Sequence, residues 1–221
     1  MRQLFVKTDK AFITDLPRFT FEGKIVIVQS EKEAIRAVEV LSRNKIVGFD
    51  TETRPSFHKG VVHKVALLQI STLELCFLFR LNMIGLPACV IDFLSNPQIL
   101  KVGLSLKDDW AALRHRQQFV PANYVDLQNL AAEMGIQDMS LQKLYANIFR
   151  KRISKNARLS NWEADVLTDA QKVYAATDAY TSLQLYEEMT ALKESGEFTW
   201  ITPSTEKPLP SPEKIDTTNK I

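Results

Sequence analysis

Three short motifs, far apart along the 221-residue chain, carry side chains that can do chemistry: Asp50-Thr51-Glu52, Asp108-Asp109, and Tyr174 with Asp178. Asp50 and Glu52 follow the apolar run KIVGF. Residues i and i+2 of an extended segment point to one side, so the two carboxylates can hold the same hard, oxygen-seeking cation. Acidic pairs after strands are also common as solvated loop charges. Asp108 stands three residues after Ser105, at capping-box spacing, which gives Asp108 a structural role and leaves Asp109 as the candidate ligand. The positive end of the helix dipole would help keep Asp109 ionised. Both are equally readable as ordinary helix-start acids. Tyr174 and Asp178 are four residues apart and share one face of a helix. The plain alternative is a boundary tyrosine beside a surface aspartate.

Positioning these groups requires a scaffold, and the pattern supplies an α/β one. The runs at 24–29 and 45–50 read as short buried strands, separated by a helix in which Ala34, Val38 and Leu41 recur. The β-rich runs at 65–71 and 74–79 are joined by a tight polar link and predict a hairpin in the same sheet. A short strand at 99–104 precedes helices near 106–118, 126–134, 140–148 and 169–192, the last announced by a capping box of Thr168 and Gln171. Val173, Ala176, Tyr180 and Leu183 form a separate apolar stripe on it, so the core does not need Asp178. The expectation is a mixed central sheet flanked by helices, with its site at a strand end.

Hydrophobic residues make up 45% of the chain and charged residues 24%, enough for one domain with a full core. Twenty-eight Lys and Arg against 26 Asp and Glu leave a formal charge of +2, so any grip on a polyanion must be local. No apolar run approaches a membrane span or a signal h-region, which predicts a cytoplasmic protein. Cys76 and Cys89 are expected to be reduced thiols. Residues 1–23 read as an N-terminal extension, 24–192 as the working domain, and 193–221, proline-rich and poor in large apolar residues toward its end, as a flexible tail.

In order and separation the three motifs resemble the DEDD superfamily of 3′-5′ exonucleases, in its tyrosine-bearing branch, to which ribonuclease D and the exonuclease domain of the Werner syndrome helicase belong. The likeness spans roughly 24–192 and includes LSNWE (159–163) before YAATDAY (174–180). It implies a ribonuclease H-like fold. It implies too that Asp50, Glu52, Asp109 and Asp178 are an acidic quartet holding two divalent ions, Mg²⁺ or Mn²⁺, with Tyr174 beside the attacking water. Two ions roughly 3.5–4 Å apart can activate water on one side of a phosphodiester and stabilise the leaving oxygen on the other. The implied substrate is a single-stranded 3′ end of DNA or RNA, and the implied products are nucleoside 5′-monophosphates. A phenol with a pKa of about 10 is a poor base, so Tyr174 is expected to orient the water.

For substrate contact the loop after the first motif offers Thr51, Arg54, Phe57 and Lys59, and the basic run 150–158 offers Arg152 and Lys155. An ordinary flexible loop and a solvated charged face are the alternatives. His58, His63 and His115 show no metal-ligand spacing, Trp162 reads as a packing residue, Asp126 as a helix cap, and Gln69 as facing the other side of its strand from Leu68 and Ile70. Two rival classes remain. An inactive nucleic-acid-binding module of the same fold is opposed by the presence of all five side chains. A nucleotide-binding enzyme is opposed by the lack of GxGxxG and GxxxxGK[ST].

Overall fold

The structure, a computed structural model, describes residues 1–201. The chain opens with β1 (Arg2–Leu4) and α1 (Lys10–Thr14), then runs through β2 (Lys24–Val28), α2 (Glu31–Leu41) and β3 (Ile46–Glu52). Next comes the antiparallel hairpin of β4 (Leu67–Ser71) and β5 (Leu75–Phe79), as the polar link predicted. After α3 (Leu81–Ile84), α4 (Ala88–Leu94), β6 (Leu100–Gly103) and α5 (Leu106–Arg114) come β7 (Tyr124–Asp126), α6 (Leu127–Glu133) and α7 (Leu141–Phe149). The long α8 (Asp169–Ser195) and the short β8 (Phe198–Trp200) complete it.

Six strands form one mixed sheet in the order β2-β5-β4-β3-β6-β7. The central strand β3 pairs antiparallel with β4 and parallel with β6, so both its edges are occupied. One face is closed by α2, α4 and α5 over a core that includes Phe49, Ile70, Phe79 and Trp110. Against the other face lies α8, whose Ala175, Ala176 and Ala179 pack with Leu67, Cys76 and Leu78. The side chains that alternate along β3 and β4 therefore enter two different cores, because both faces of the sheet are buried.

Residues 1–23 are packed onto this body rather than appended to it. Arg2–Leu4 pair in parallel with Phe198–Trp200 as a separate two-stranded sheet, and the Phe21 amide donates to Thr177 Oγ1 on α8. Three-residue strands carry no readable period, and their pairing joins segments far apart in sequence, so nothing local announced it. Of the tail expected over 193–221, residues 193–201 carry the end of α8 and the paired strand β8, and the rest, from residue 202 onward, lies outside the described residues.

One helix start differs from expectation. Ser105 takes a left-handed backbone conformation (φ 62°) and its side chain makes no capping bond, so the proposed box of Ser105 and Asp108 does not form. Asp126 takes over the duty. Its carboxylate accepts from the amides of Ser105 (3.0 Å) and Leu106 (2.8 Å), and caps its own helix α6 through the Gln128 amide (2.9 Å). Thr168 and Gln171 do form the predicted capping box on α8.

Candidate active site

The first acidic pair is placed by a close approach of helix to strand. A Cβ on Gly48 would stand 1.9 Å from the carbonyl oxygen of Ala179, so only a glycine lets α8 lie this low over β3. On the helix side Ala179 and Leu183 face Gly48, and the small residues Ala175 and Ser182 are buried beside them on α8. Gly48, Asp50 and Glu52 alternate onto the α8 face of β3. Four residues before Ser182, Asp178 points down to meet them.

The result is a cluster in which oxygens of Asp50, Glu52 and Asp178 all lie within 4.8 Å of one another. Glu52 and Asp178 are buried and Asp50 is half-buried. Among the described residues, none of the three forms an ion pair. Burial and mutual repulsion therefore push their protons on. Asp50 is raised well above the usual carboxylate range, by burial first and then by Asp109, Glu52 and Asp178. Burial raises Glu52 to about 9, with Asp178 and Asp109 adding and Arg158 opposing. Asp178 is raised to about 7 by burial, against the pull of the Tyr174 hydroxyl and Lys155. Buried, mutually repelling carboxylates of this kind are what a divalent cation neutralises, and the three offer it only the hard oxygen ligands that Mg²⁺ and Mn²⁺ favour.

Asp109 comes from the other face of the sheet, on the first turn of α5, and the structure does not bring it into the oxygen cluster. Its carboxylate instead accepts a hydrogen bond from Thr51 Oγ1. Burial raises Asp109 to about 6, while the Thr51 hydroxyl draws it back. It remains near enough to be the strongest charged influence on Asp50.

Tyr174 sits one helical turn before Asp178, beside the buried Trp162 at 6.0 Å between ring centroids. Burial and then the charges of Asp178 and Glu52 drive its phenol far upward, so it stays protonated at any neutral pH. Trp162 is wholly buried and donates to the Arg158 carbonyl, a packing role as expected. The segment that carries these residues is fastened at several points. Buried Arg80 donates to the carbonyls of Ala164 and Asp165, and Gln171 Nε2 donates to Ser160 Oγ (3.0 Å) and the Asn161 carbonyl (3.1 Å).

A cleft of about 380 Å³ opens over the cluster, with Lys155 and Arg158 on one wall and Met139 at its rim. Lys155 and Thr51 thus line the cleft. Arg54 is engaged elsewhere, with Glu163 at 3.3 Å, and His63 meets the other oxygen of that carboxylate at 3.1 Å. Phe57 is 78% exposed on a neighbouring groove, and Lys59 is exposed. Arg152 turns toward the N-terminal segment, its Nε donating to the Leu16 carbonyl at 2.9 Å. Sequence reasoning did not find the tie between Thr51 and Asp109, nor the burial of Gln69. A strand buried on both faces gives no alternation to separate its polar positions from solvent-facing ones.

A mixed sheet whose central strand ends in acidic residues beneath a long helix is the architecture of the ribonuclease H-like exonuclease domains. The crystal structure of the Nibbler EXO domain of Aedes aegypti superposes with a TM-score of 0.74 at 19% identity, over 81% of this chain and 94% of that one. Escherichia coli RNase D does so with a TM-score of 0.71 at 20% identity, over 78% of this chain and 46% of its own. The chain belongs to the 3′-5′ exonuclease family, whose model matches residues 25–193. It is 31% identical over 194 residues to the bifunctional 3′-5′ exonuclease/ATP-dependent helicase of Mus musculus, covering 83% of this chain and 14% of that protein. It is 30% identical over 197 residues to a 3′-5′ exonuclease of Arabidopsis thaliana, covering 82% of this chain and 68% of that one.

Proposed function

We propose that this domain hydrolyses phosphodiester bonds from the 3′ end of a nucleic-acid strand, releasing nucleoside 5′-monophosphates one at a time. The observation that carries this reading is the convergence of Asp50 and Glu52 from β3 with Asp178 from α8. Two divalent cations, Mg²⁺ or Mn²⁺, when bound there, would supply Lewis-acid stabilisation of the phosphate and its leaving oxygen. Asp50, Glu52 and Asp178 would hold the first. Asp109, kept beside Asp50 by Thr51, would help hold the second once substrate phosphate contributes its own oxygens. Binding to the free protein would accordingly be weak, because the carboxyls that burial keeps protonated, Asp50 and Glu52 above all, must lose their protons as the cation enters.

The protonated Tyr174 hydroxyl would orient the attacking water toward the phosphorus, with no role as a base. Lys155 and Arg158 on the cleft wall would meet backbone phosphates, and Phe57 would stack on a base beyond the cleft. Thr51 and the backbone around it would contact the terminal nucleotide. Arg54, Lys59 and Arg152 are proposed only as outer contacts, since Arg54 would first have to leave Glu163. The substrate proposed is a single-stranded 3′ end, whose unpaired terminal nucleotide would bring one phosphodiester beside the carboxylates. Two free thiols fit a reducing, cytoplasmic setting. Among the described residues no helix is long and apolar enough to cross a membrane.

The deciding experiment incubates the purified protein and an Asp50→Ala control with 5′-labelled single-stranded DNA and RNA, in Mg²⁺ or Mn²⁺. A ladder of products shortened from the 3′ end, absent from the control, is expected. A mobility shift without a ladder would replace the enzyme with a nucleic-acid-binding module of the same fold.

A further inference from the structure

Gln69 lies at the middle of β4 and is entirely buried. Neither Oε1 nor Nε2 of its amide has a hydrogen-bond partner among the described residues. Burying an amide without partners carries a desolvation penalty that an apolar residue of the same volume would avoid. Its place in the register is the informative part: Gln69 stands directly opposite Asp50 on β3 and opposite Leu78 on β5. Directly opposed residues of an antiparallel pair share a face, with Cβ atoms about 4.5–5.5 Å apart. That face also carries Leu67, Cys76, Leu78, the small side of α8, Glu52 at the end of β3, and Ser71, whose hydroxyl already donates to the carbonyls of Thr72 and Leu75. In this neighbourhood the carboxylate opposite is the group for which an amide N–H is suited.

We propose that Gln69 is a positioning residue for Asp50. When a divalent cation takes one oxygen of Asp50, the Gln69 amide donates to the other and fixes the direction of the carboxylate. In this it acts as the outer hydrogen-bonding partners of metal-ligating side chains do. The inference rests on the exonuclease reading only in that it takes Asp50 as a cation ligand. It assigns the amide to the loaded state, which leaves it dispensable for the fold itself.

The test compares the wild-type protein with Gln69→Met and Gln69→Leu, both apolar and close in volume. Thermal unfolding in EDTA reports the fold, and titration with Mn²⁺, followed by electron paramagnetic resonance, reports the site without turnover. The variants are expected to melt at or above the wild-type temperature in EDTA. Their Mn²⁺ binding is expected to weaken by tenfold or more. Mn²⁺ affinity within twofold of wild type would overturn the assignment, and so would variants that fail to fold or melt lower in EDTA, since the amide would then serve the core. If the wild-type protein, with or without a single-stranded oligonucleotide present, binds no Mn²⁺ that Asp50→Ala abolishes, the exonuclease reading fails and this inference with it. Wild-type binding with unaltered variants removes the inference alone.

Discussion

At Asp178 the needs of folding and of cation binding oppose each other. Its carboxyl is buried beside two others, and burial holds its proton to about 7. Asp178→Asn removes one repelling charge while keeping the shape, so the variant should unfold at a higher temperature than wild type in EDTA. The same change removes a cation ligand, and hydrolysis should fall on the order of a thousandfold, the rate equivalent of several kcal/mol of lost stabilisation. Unfolding curves and single-turnover rates on one preparation check both halves. Tyr174 separates differently. Tyr174→Phe keeps the ring against Trp162 and removes only the hydroxyl, so single-turnover cleavage should drop about a hundredfold with Mn²⁺ affinity unchanged. Nearly full activity in that variant would end the water-orienting role. That the two share one face was legible in the sequence, because i and i+4 on a helix meet before any fold is known. Asp109 was legible as an acid but not as a partner of Thr51, whose hydroxyl reaches it from 58 positions away.

Between β3 and α8 the decisive contact is at backbone level. Gly48→Ala would place a methyl 1.9 Å from the Ala179 carbonyl oxygen and force the helix off the strand. Overpacking of this kind costs about 1–3 kcal/mol, and here it also spreads Asp178 from Asp50 and Glu52. Weaker Mn²⁺ binding should therefore accompany the lower melting temperature, and normal binding in a destabilised variant would refute the link. Asp126 has a different reach, since one carboxylate caps both α5 and α6. Asp126→Ala should cost about 2 kcal/mol, toward the upper end for a single lost cap, measurable by urea denaturation. The sequence named Asp126 as the cap of its own helix. It gave α5 to Ser105, because capping-box spacing says nothing about a backbone turned to φ 62°. The five longer strands and the hairpin were readable from apolar runs. β7 was not, being three residues long and defined by its pairing with β6.

For the molecule as a whole, the cluster makes stability depend on pH in an unusual sense. Unfolded carboxylates release their protons near pH 4, whereas in the fold Asp109 is held to about 6, Asp178 to about 7 and Glu52 to about 9. Between those limits the native state binds more protons than the unfolded chain, so stability falls as pH rises. In EDTA the melting temperature should decline from pH 5 to pH 9. Saturating Mn²⁺ should flatten that decline, because the cation binds the deprotonated form and replaces the missing protons. Melting curves across that range, with and without Mn²⁺, settle the point, and an EDTA series that stays level would contradict the assigned burial of the cluster.

The small clasp between Arg2–Leu4 and Phe198–Trp200 has a mechanical consequence. Its strands run in the same direction, so tension applied between the start of the first and the end of the second slides them past each other. The bonds flanking the clasp, from the Arg2 amide to the Glu197 carbonyl and from the Ile201 amide to that of Leu4, are then stretched together instead of one after another. A pull on the polymer is met at this point before it reaches the far end of α8, and the carboxylate that α8 contributes is shielded from strain arriving along the backbone.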